Sequence, residues 1–412
     1  MTQAPPAPPT HIASLDDYTN VVTSGEIAEL RALAARLHGR SVQMVNSTAV
    51  GGGVAEILTR MVPLMQELEI TVRWDVITGG EDFFAITKAF HNALHGESFK
   101  LPDESFQTFL DYNAQNRARL RFGADFTMIH DPQPVALIDA RTAHEGHWIW
   151  RCHIDLSQPN RKVWGFLEPF VHRYDGAIFS SPSFSRRLPI PQYLFYPSID
   201  PLSEKNREIE PEIIAQTLEQ FGIDASRPIV TQVSRFDRLK DPIGVVRAYQ
   251  IVKRYADCQL VLAGGGATDD PEGGAVLAEV REAAGKDADI HILDLPPWSA
   301  VEINALQRAS TIIVQKSLRE GFGLTVTEGL WKKKPVVASA VGGIPSQVIH
   351  KHTGMLAHSI EGTAFQIRLL LGNPAIAQRL GERGHEHVRE HFLITSDIRR
   401  HLTLFLHFLR EN

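Results

Sequence analysis

The stretch "PIVTQVSRFDRLKDPIGVVRAYQIVKRYADCQLVLAGGG" (residues 228–266) contains one complete structural unit. Its two ends, 228–234 and 258–266, are largely apolar runs without alternation. Strands of that kind are covered on both faces, as in a parallel sheet. Between them, Asp241 and Pro242 read as the N-cap and first residue of a helix. Val245, Val246, Tyr249 and Val252 then recur at the spacing of one helix face. Strand, helix and strand in this order make a crossover, and the fold class is α/β.

The same unit repeats in both directions. Upstream, strands are expected at 41–47, 70–77, 126–131, 147–154, 176–181 and 192–198; downstream, at 289–294, 311–317 and 335–341. A helix follows the first strand, with Val54, Ile57, Leu58, Met61, Met65 and Leu68 on one face and Pro63 within it. The stretch 201–212, "PLSEKNREIEPE", is charged, bounded by prolines and breaks the pattern. It reads as a linker between an N-terminal domain (1–200, with a disordered tail at 1–10) and a C-terminal domain (213–390). A helical segment at 391–412 ends the chain. Two doubly wound domains facing one another would take ligands at the carboxyl ends of their strands.

A chain of 412 residues is long enough for two cores, and 43% apolar with 22% charged residues is ordinary for a globular protein. The net charge of −6 argues against nucleic acid as a partner. Two distant cysteines, Cys152 and Cys258, give no disulfide framework. No apolar run suggests a membrane span or a signal peptide, so a cytoplasmic location is expected.

Three stretches carry the chemistry. Gly51, Gly52 and Gly53 follow the first strand and open a helix, where free N–H groups suit an anion; the plainer reading is a tight turn. Arg235 and Lys240 follow the strand at 228–234, where two cations could neutralise a diphosphate; a solvated loop also fits, since Asp237 and Arg238 share it. In "SLREGFGLTVTEG" (317–329), Gly321 and Gly323 allow close backbone approach, and Leu324 and Thr325 offer N–H groups at a helix start. Glu328, read within the first helical turn, could accept from a ribose, and Glu320 from a sugar beyond the phosphates. Favouring the helix dipole is the alternative for Glu328.

Glu320-x7-Glu328, Arg235 with Lys240, and the glycines at 51–53 together resemble the retaining family 4 glycosyltransferases. The blocks "VNSTAVGGGVAEIL", "HDPQP" (130–134), "WRCHIDLSQPN" (150–160), "PSIDPLSEKN" (197–206), "DDPEG" (269–273) and "REGFGLTVTE" are similar to the trehalose glycosyltransferring synthase subgroup, to which trehalose phosphorylases are related. The resemblance spans nearly the whole chain. It implies the GT-B fold, with two Rossmann-like domains across a cleft and the last helix crossing back to the N-terminal domain. It implies transfer of glucose from a nucleotide diphosphate glucose to free glucose, reversibly, giving α,α-trehalose.

The resemblance also assigns roles. Arg235 and Lys240 would bind the diphosphate, Glu328 the ribose and Glu320 the donor glucose, with Gly52, Gly53, Gly321, Phe322, Gly323, Leu324 and Thr325 lining the donor. His153 would lie near the donor sugar and act in catalysis with Glu320, Arg235 and Lys240. Asp131 and Gln133 would face the acceptor. No cofactor and no metal are expected. His91 and His95 lack a third ligand at a telling spacing, and the "DAD" at 287–289 precedes a strand instead of following one. The partners expected are the sugar substrates and a second copy in a homodimer. Trehalose phosphorolysis, a non-catalytic nucleotide-sugar sensor and, more weakly, an epimerase are the competing readings.

Overall fold

The computed structural model describes residues 13–50, 52–142, 146–265 and 273–410. The expected tail, Gly51 and residues 269–272 of the "DDPEG" block lie outside these. Two parallel sheets of six strands account for the α/β class. The first comprises β1 (Ser41–Asn46), β2 (Thr71–Val76), β3 (Phe126–His130), β4 (His147–Cys152), β5 (Gly176–Phe179) and β6 (Gln192–Leu194), in the order β2-β1-β3-β4-β5-β6. The second comprises β7 (Ile229–Val233), β8 (Gln259–Gly264), β9 (Ile290–Asp294), β10 (Ile312–Gln315), β11 (Val336–Ser339) and β12 (Met355–Ala357), in the order β12-β11-β10-β7-β8-β9. Each strand read from the sequence is present. β12 was not anticipated, because three residues are too short for an apolar run to stand out.

The strand order reverses once in each sheet. The chain steps from β1 outward to β2, then returns to lay β3 on the other side of β1. It steps from β7 through β8 to β9, then returns to lay β10 beside β7. Crossovers diverge at these two borders and leave the carboxyl ends of the strands uncovered, which is where ligands bind in open α/β sheets.

The described residues form two compact units, one drawn from within 13–198 and 394–410, the other from within 199–393. The stretch expected as a linker is largely built into the second unit. Asn206 is fully buried, and Pro211 opens the helix Pro211–Gln220. Asp241 caps the helix Pro242–Lys253 by accepting from the Gly244 N–H at 3.0 Å. Val245, Val246, Tyr249 and Val252 are buried in one core with β7, β8 and β10.

The helix Ile394–Phe408 belongs to the first unit. Ile398, Leu402, Phe405 and Phe408 are buried, and Phe405 stacks on Phe126 of β3 with ring centroids 4.5 Å apart. Under this apolar face lies a buried charge cluster. Arg151 of β4 reaches Asp397 Oδ2 at 3.4 Å and His401 Nε2 at 2.8 Å, and Ser198 Oγ donates to Asp397 Oδ2 at 3.0 Å. Burial pushes the Asp397 carboxyl up, but Arg151 and His401 outweigh it and hold the group well below the usual carboxylate range. Asp397→Ala would leave the Arg151 guanidinium buried without its counter-charge, at an expected cost of about 3–5 kcal/mol. Urea unfolding monitored by tryptophan fluorescence checks this, and an unchanged midpoint would contradict it.

Candidate active site

In the second unit, the loops leaving β7 and β10 meet. Lys240 closes a short 3-10 turn, Arg238–Lys240, whose start is fixed by Asp237 Oδ1 accepting from the Leu239 N–H at 2.7 Å. Its ammonium lies 2.7 Å from both oxygens of Glu320, in the loop after β10. Glu320 also accepts from Ser317 Oγ at 3.0 Å and is nearly buried. Arg235, more open to solvent, reaches Asp237 Oδ2 at 3.2 Å. Lys316 pairs with Asp241 at the start of the neighbouring helix.

The glycine bend is fixed from a third strand. A Cβ on Gly342, beyond β11, would fall 1.6 Å from the Glu320 carbonyl oxygen, and φ there is +56°. One on Gly343 would fall 2.7 Å from the Gly321 carbonyl oxygen. Gly323, at φ +86°, is the N-cap of the helix Leu324–Trp331, whose first N–H groups lack intrahelical acceptors. The Phe322 side chain turns into the core against Phe392, with centroids 5.6 Å apart.

Glu328 departs from the expected position. It is the fifth residue of its helix, not one of the first turn, and is fully buried. Gln307 Nε2 donates to its Oε2 at 2.9 Å, and the Lys205 ammonium stands 3.3 Å from its Oε1. Lys332 holds Gln307 Oε1 at 2.7 Å and Asn206 Oδ1 at 3.0 Å. Burial pushes the Glu328 carboxyl up, but Lys205, Lys332 and the Gln307 hydrogen bond outweigh it and hold it below its usual range.

In the first unit, the loops leaving β1, β3 and β4 carry the remaining candidates. Asn46 holds the β1 loop, donating to the Thr48 carbonyl at 2.7 Å and accepting from Trp74 Nε1 at 2.8 Å. Gly52, at φ +85°, caps the helix Gly53–Glu67, and both glycines are exposed. Asp131 sits at φ +66°, a strained conformation for a residue with a Cβ. Its N–H donates to the Arg151 carbonyl at 2.8 Å, its carbonyl accepts from Trp150 Nε1 at 3.0 Å, and its Oδ1 accepts from the His153 N–H at 2.7 Å. His153 Nε2 lies 3.2 Å from His130 Nδ1, the rings nearly parallel. Burial pushes the pKa of both rings well below the usual histidine value, and so do their cationic neighbours. Between two neutral imidazoles, one of the facing nitrogens donates and the other accepts. Burial also raises the Asp131 carboxyl to about 7, against the opposing effects of the His153 N–H and Arg151. Gln133 is half-buried, its carbonyl accepting from Asn113 Nδ2 at 3.1 Å.

The sequence of residues 44–186 matches the family described as "Trehalose synthase, N-terminal domain", and residues 214–387 match "Glycosyl transferases group 1". The trehalose synthase of Pyrococcus horikoshii is 43% identical over 399 residues, 95% of each chain. The chain belongs to the trehalose synthase family of glycosyltransferases. A trehalose phosphorylase of Pleurotus pulmonarius is 27% identical over 92% of this chain and 59% of its own. Among solved structures, the sucrose-phosphate synthase of Thermosynechococcus elongatus superposes with a TM-score of 0.71 at 19% identity, covering 90% of this chain and all of that one. The fold is GT-B, and the protein is an enzyme of glycosyl transfer.

Reading the sequence of this glycosyltransferase missed Lys205, Gln307, Lys332 and the Gly342-Gly343 pair. The glycine pair carried a signal, since it directly follows an apolar strand on the ligand side of the sheet. Of the two metal-like patterns, Asp287 and Asp289 are ion-paired to Lys253, and Asp289 also to Arg227. The His91 and His95 rings lie 4.7 Å apart. Among the described residues no group of three His, Cys, Asp or Glu side chains is placed to hold a metal, and no helix is long and apolar enough to cross a membrane.

The raised Asp131 carboxyl has a testable consequence. Below its ordinary value of 3.8 the group is protonated whether folded or unfolded; between 3.8 and about 7 only the folded chain keeps the proton. The stability this confers is present at low pH and is lost as pH rises through about 7. Asp131→Asn keeps an acceptor for the His153 N–H and removes the titration. Relative to the parent, the variant should gain on the order of 2 kcal/mol between pH 4 and pH 8. Urea unfolding across that range checks it, and a pH-independent difference would contradict it.

Proposed function

We propose that this enzyme transfers glucose, with retention, from a nucleotide diphosphate glucose to free glucose, giving α,α-trehalose reversibly and without a metal. The observation that carries the reading is the Lys240–Glu320 pair at the β7/β10 border, with Arg235 on the same loop as Lys240 and the buried Glu328 in the helix that follows Glu320. An ammonium has three N–H donors. Two are directed at Glu320, and the third suits a phosphate oxygen. Arg235 offers a fork to the same diphosphate. Glu320 would then accept from the donor glucose and Glu328 from the ribose. A bare sugar phosphate would leave Glu328 no ribose to hold.

Departure of the diphosphate puts negative charge on its oxygens and oxocarbenium character on the sugar. Arg235, Lys240 and the N-terminus of the helix Leu324–Trp331 stabilise that leaving group, as a divalent ion does in other transferases. The acceptor attacks from the leaving group's own face, and a diphosphate oxygen takes its proton. No protein nucleophile is needed in this scheme. Asp131, whose Oδ1 is taken by the His153 N–H, would offer Oδ2 to an acceptor hydroxyl, with Gln133 on the same loop. The neutral His153 would serve as a hydrogen-bonding group toward the sugar. Support for glucose as acceptor comes from the full-length likeness to proteins named trehalose synthase.

Proton NMR of reactions containing UDP-, ADP- or GDP-glucose with glucose, with and without inorganic phosphate, tests the reading. Trehalose should form from at least one nucleotide donor without phosphate, and a chelator should leave the rate unchanged. Trehalose cleaved by phosphate, with nucleotide diphosphates neither supporting cleavage nor binding, would replace the synthase by a phosphorylase. Loss of activity in chelator, restored by one divalent ion, would overturn the metal-free mechanism.

The clamp is tested separately. Arg235→Ala and Lys240→Ala should each lower kcat/KM for the donor by roughly 10- to 100-fold. Lys240→Ala should cost more, because it also strips Glu320 of its cation. Parental rates in both variants would remove the clamp from the mechanism.

A further inference from the structure

The segment 201–207 reaches a side chain into the donor half of the site. Its backbone is fastened to the helix Ala300–Ala309. Asn304 Nδ2 donates to the carbonyls of Glu204 and Arg207 at 2.9 and 2.8 Å, and Arg308 Nη2 to those of Asn206 and Arg207 at 3.1 and 3.0 Å. Asn206 turns inward, donating to the Asp200 carbonyl at 3.0 Å and accepting from Lys332. Lys205, between these anchors, extends to Glu328 Oε1.

The surrounding hydrogen bonds fix the direction of each group. Lys332 can only donate, so Gln307 must present Oε1 to it and its amide N–H to Glu328 Oε2. The carboxylate is thereby held by one oxygen. Its other oxygen, Oε1, is itself buried and lacks a hydrogen bond of good geometry, with the Lys205 ammonium as its ion-pair partner. A carboxylate oxygen has two acceptor positions, so Lys205 and one further donor can share Oε1.

We infer that Lys205 is a positioning residue for the donor: it compensates the buried Glu328 carboxylate and holds Oε1 ready to accept from the ribose hydroxyls. The inference rests on the nucleotide-sugar reading of this site. The charged groups facing Glu328 are Lys205 from this segment and Lys332 from the next turn of its own helix; the helix Ala300–Ala309 contributes the neutral Gln307. Lys332 is committed to Gln307 and Asn206. Without Lys205, one of the groups that hold the Glu328 carboxyl down is lost, and its pKa moves upward.

The test compares Lys205→Met, Lys205→Gln and Lys205→Arg with Glu328→Gln, in the full chain, using the nucleotide glucose that supports trehalose formation. Lys205→Met should raise the donor KM on the order of 10-fold, with the glucose KM within about twofold of the parent. The donor loss should deepen as pH falls from 8 to 6, the direction in which an uncompensated buried carboxyl takes a proton. Lys205→Arg should restore most of the affinity. Lys205→Gln keeps the stem without the charge and serves if the methionine variant fails to fold. Parental donor KM in the uncharged variants, while Glu328→Gln raises it, would overturn the role of Lys205. A lowered donor KM would overturn it too, by showing Lys205 to be a competitor that the ribose displaces. If Glu328→Gln leaves the donor KM unchanged as well, the ribose reading itself fails.

Discussion

A parallel strand can be joined to its neighbour only after the chain has crossed back over the sheet, so all six strands in each sheet deliver their following loops to one edge. Where the strand order reverses, the crossovers part and that edge stays open. The bond between Lys240 and Glu320 spans such a border. The residues are eighty positions apart in sequence, yet β7 and β10 are hydrogen-bonded neighbours. The glycines after β11 then fix the bend from the far side, because the Glu320 carbonyl occupies the space a side chain would need. Asp131 and the β1 loop occupy the equivalent border of the first sheet.

Much of this was legible because burial on both faces removes polar residues from the strands themselves. "QLVLAG" cannot be confused with a surface segment, and Asp241-Pro242 announces its helix through the chemistry of capping. The loops could be recognised by residue type, so Arg235, Lys240 and Glu320 were accessible. Their pairing was not, since nothing local in the chain encodes which strands become neighbours. Glu328 was read within the first turn, but a helix that starts at Leu324 makes it the fifth residue, one step past that turn. Lys205 was hidden for a different reason. A charged, proline-bounded stretch looks the same whether it is solvated or clamped, and the clamp consists of side chains about a hundred residues away. Phe322, read with the donor loop, is a core residue because its neighbour Phe392 offers a ring to pack on.

Both units bury charge instead of avoiding it, and in both the buried carboxylate is compensated by a cation from a distant part of the chain. Arg151 meets Asp397 across 246 residues. Glu328 meets Lys205 across more than a hundred. An uncompensated ion in either place would cost more than the packing around it provides. The protonation states follow from the same accounting. At Asp397 and Glu328 the cations outweigh burial and the carboxylate stays ionised, whereas at Asp131 burial outweighs Arg151 and the His153 N–H, and the acid holds its proton to about neutral pH.

The ownership of the last helix has a consequence for biosynthesis. The first unit is assembled from both ends of the chain, because the helix Ile394–Phe408 packs among strands made some 250 residues earlier and supplies the acid for Arg151. As the polypeptide leaves the ribosome, the second unit has its whole sequence available before the first one does. Until the final helix emerges, the guanidinium of Arg151 lacks its Asp397 partner and Phe126 lacks the ring of Phe405. The half of the protein translated first is therefore the half completed last.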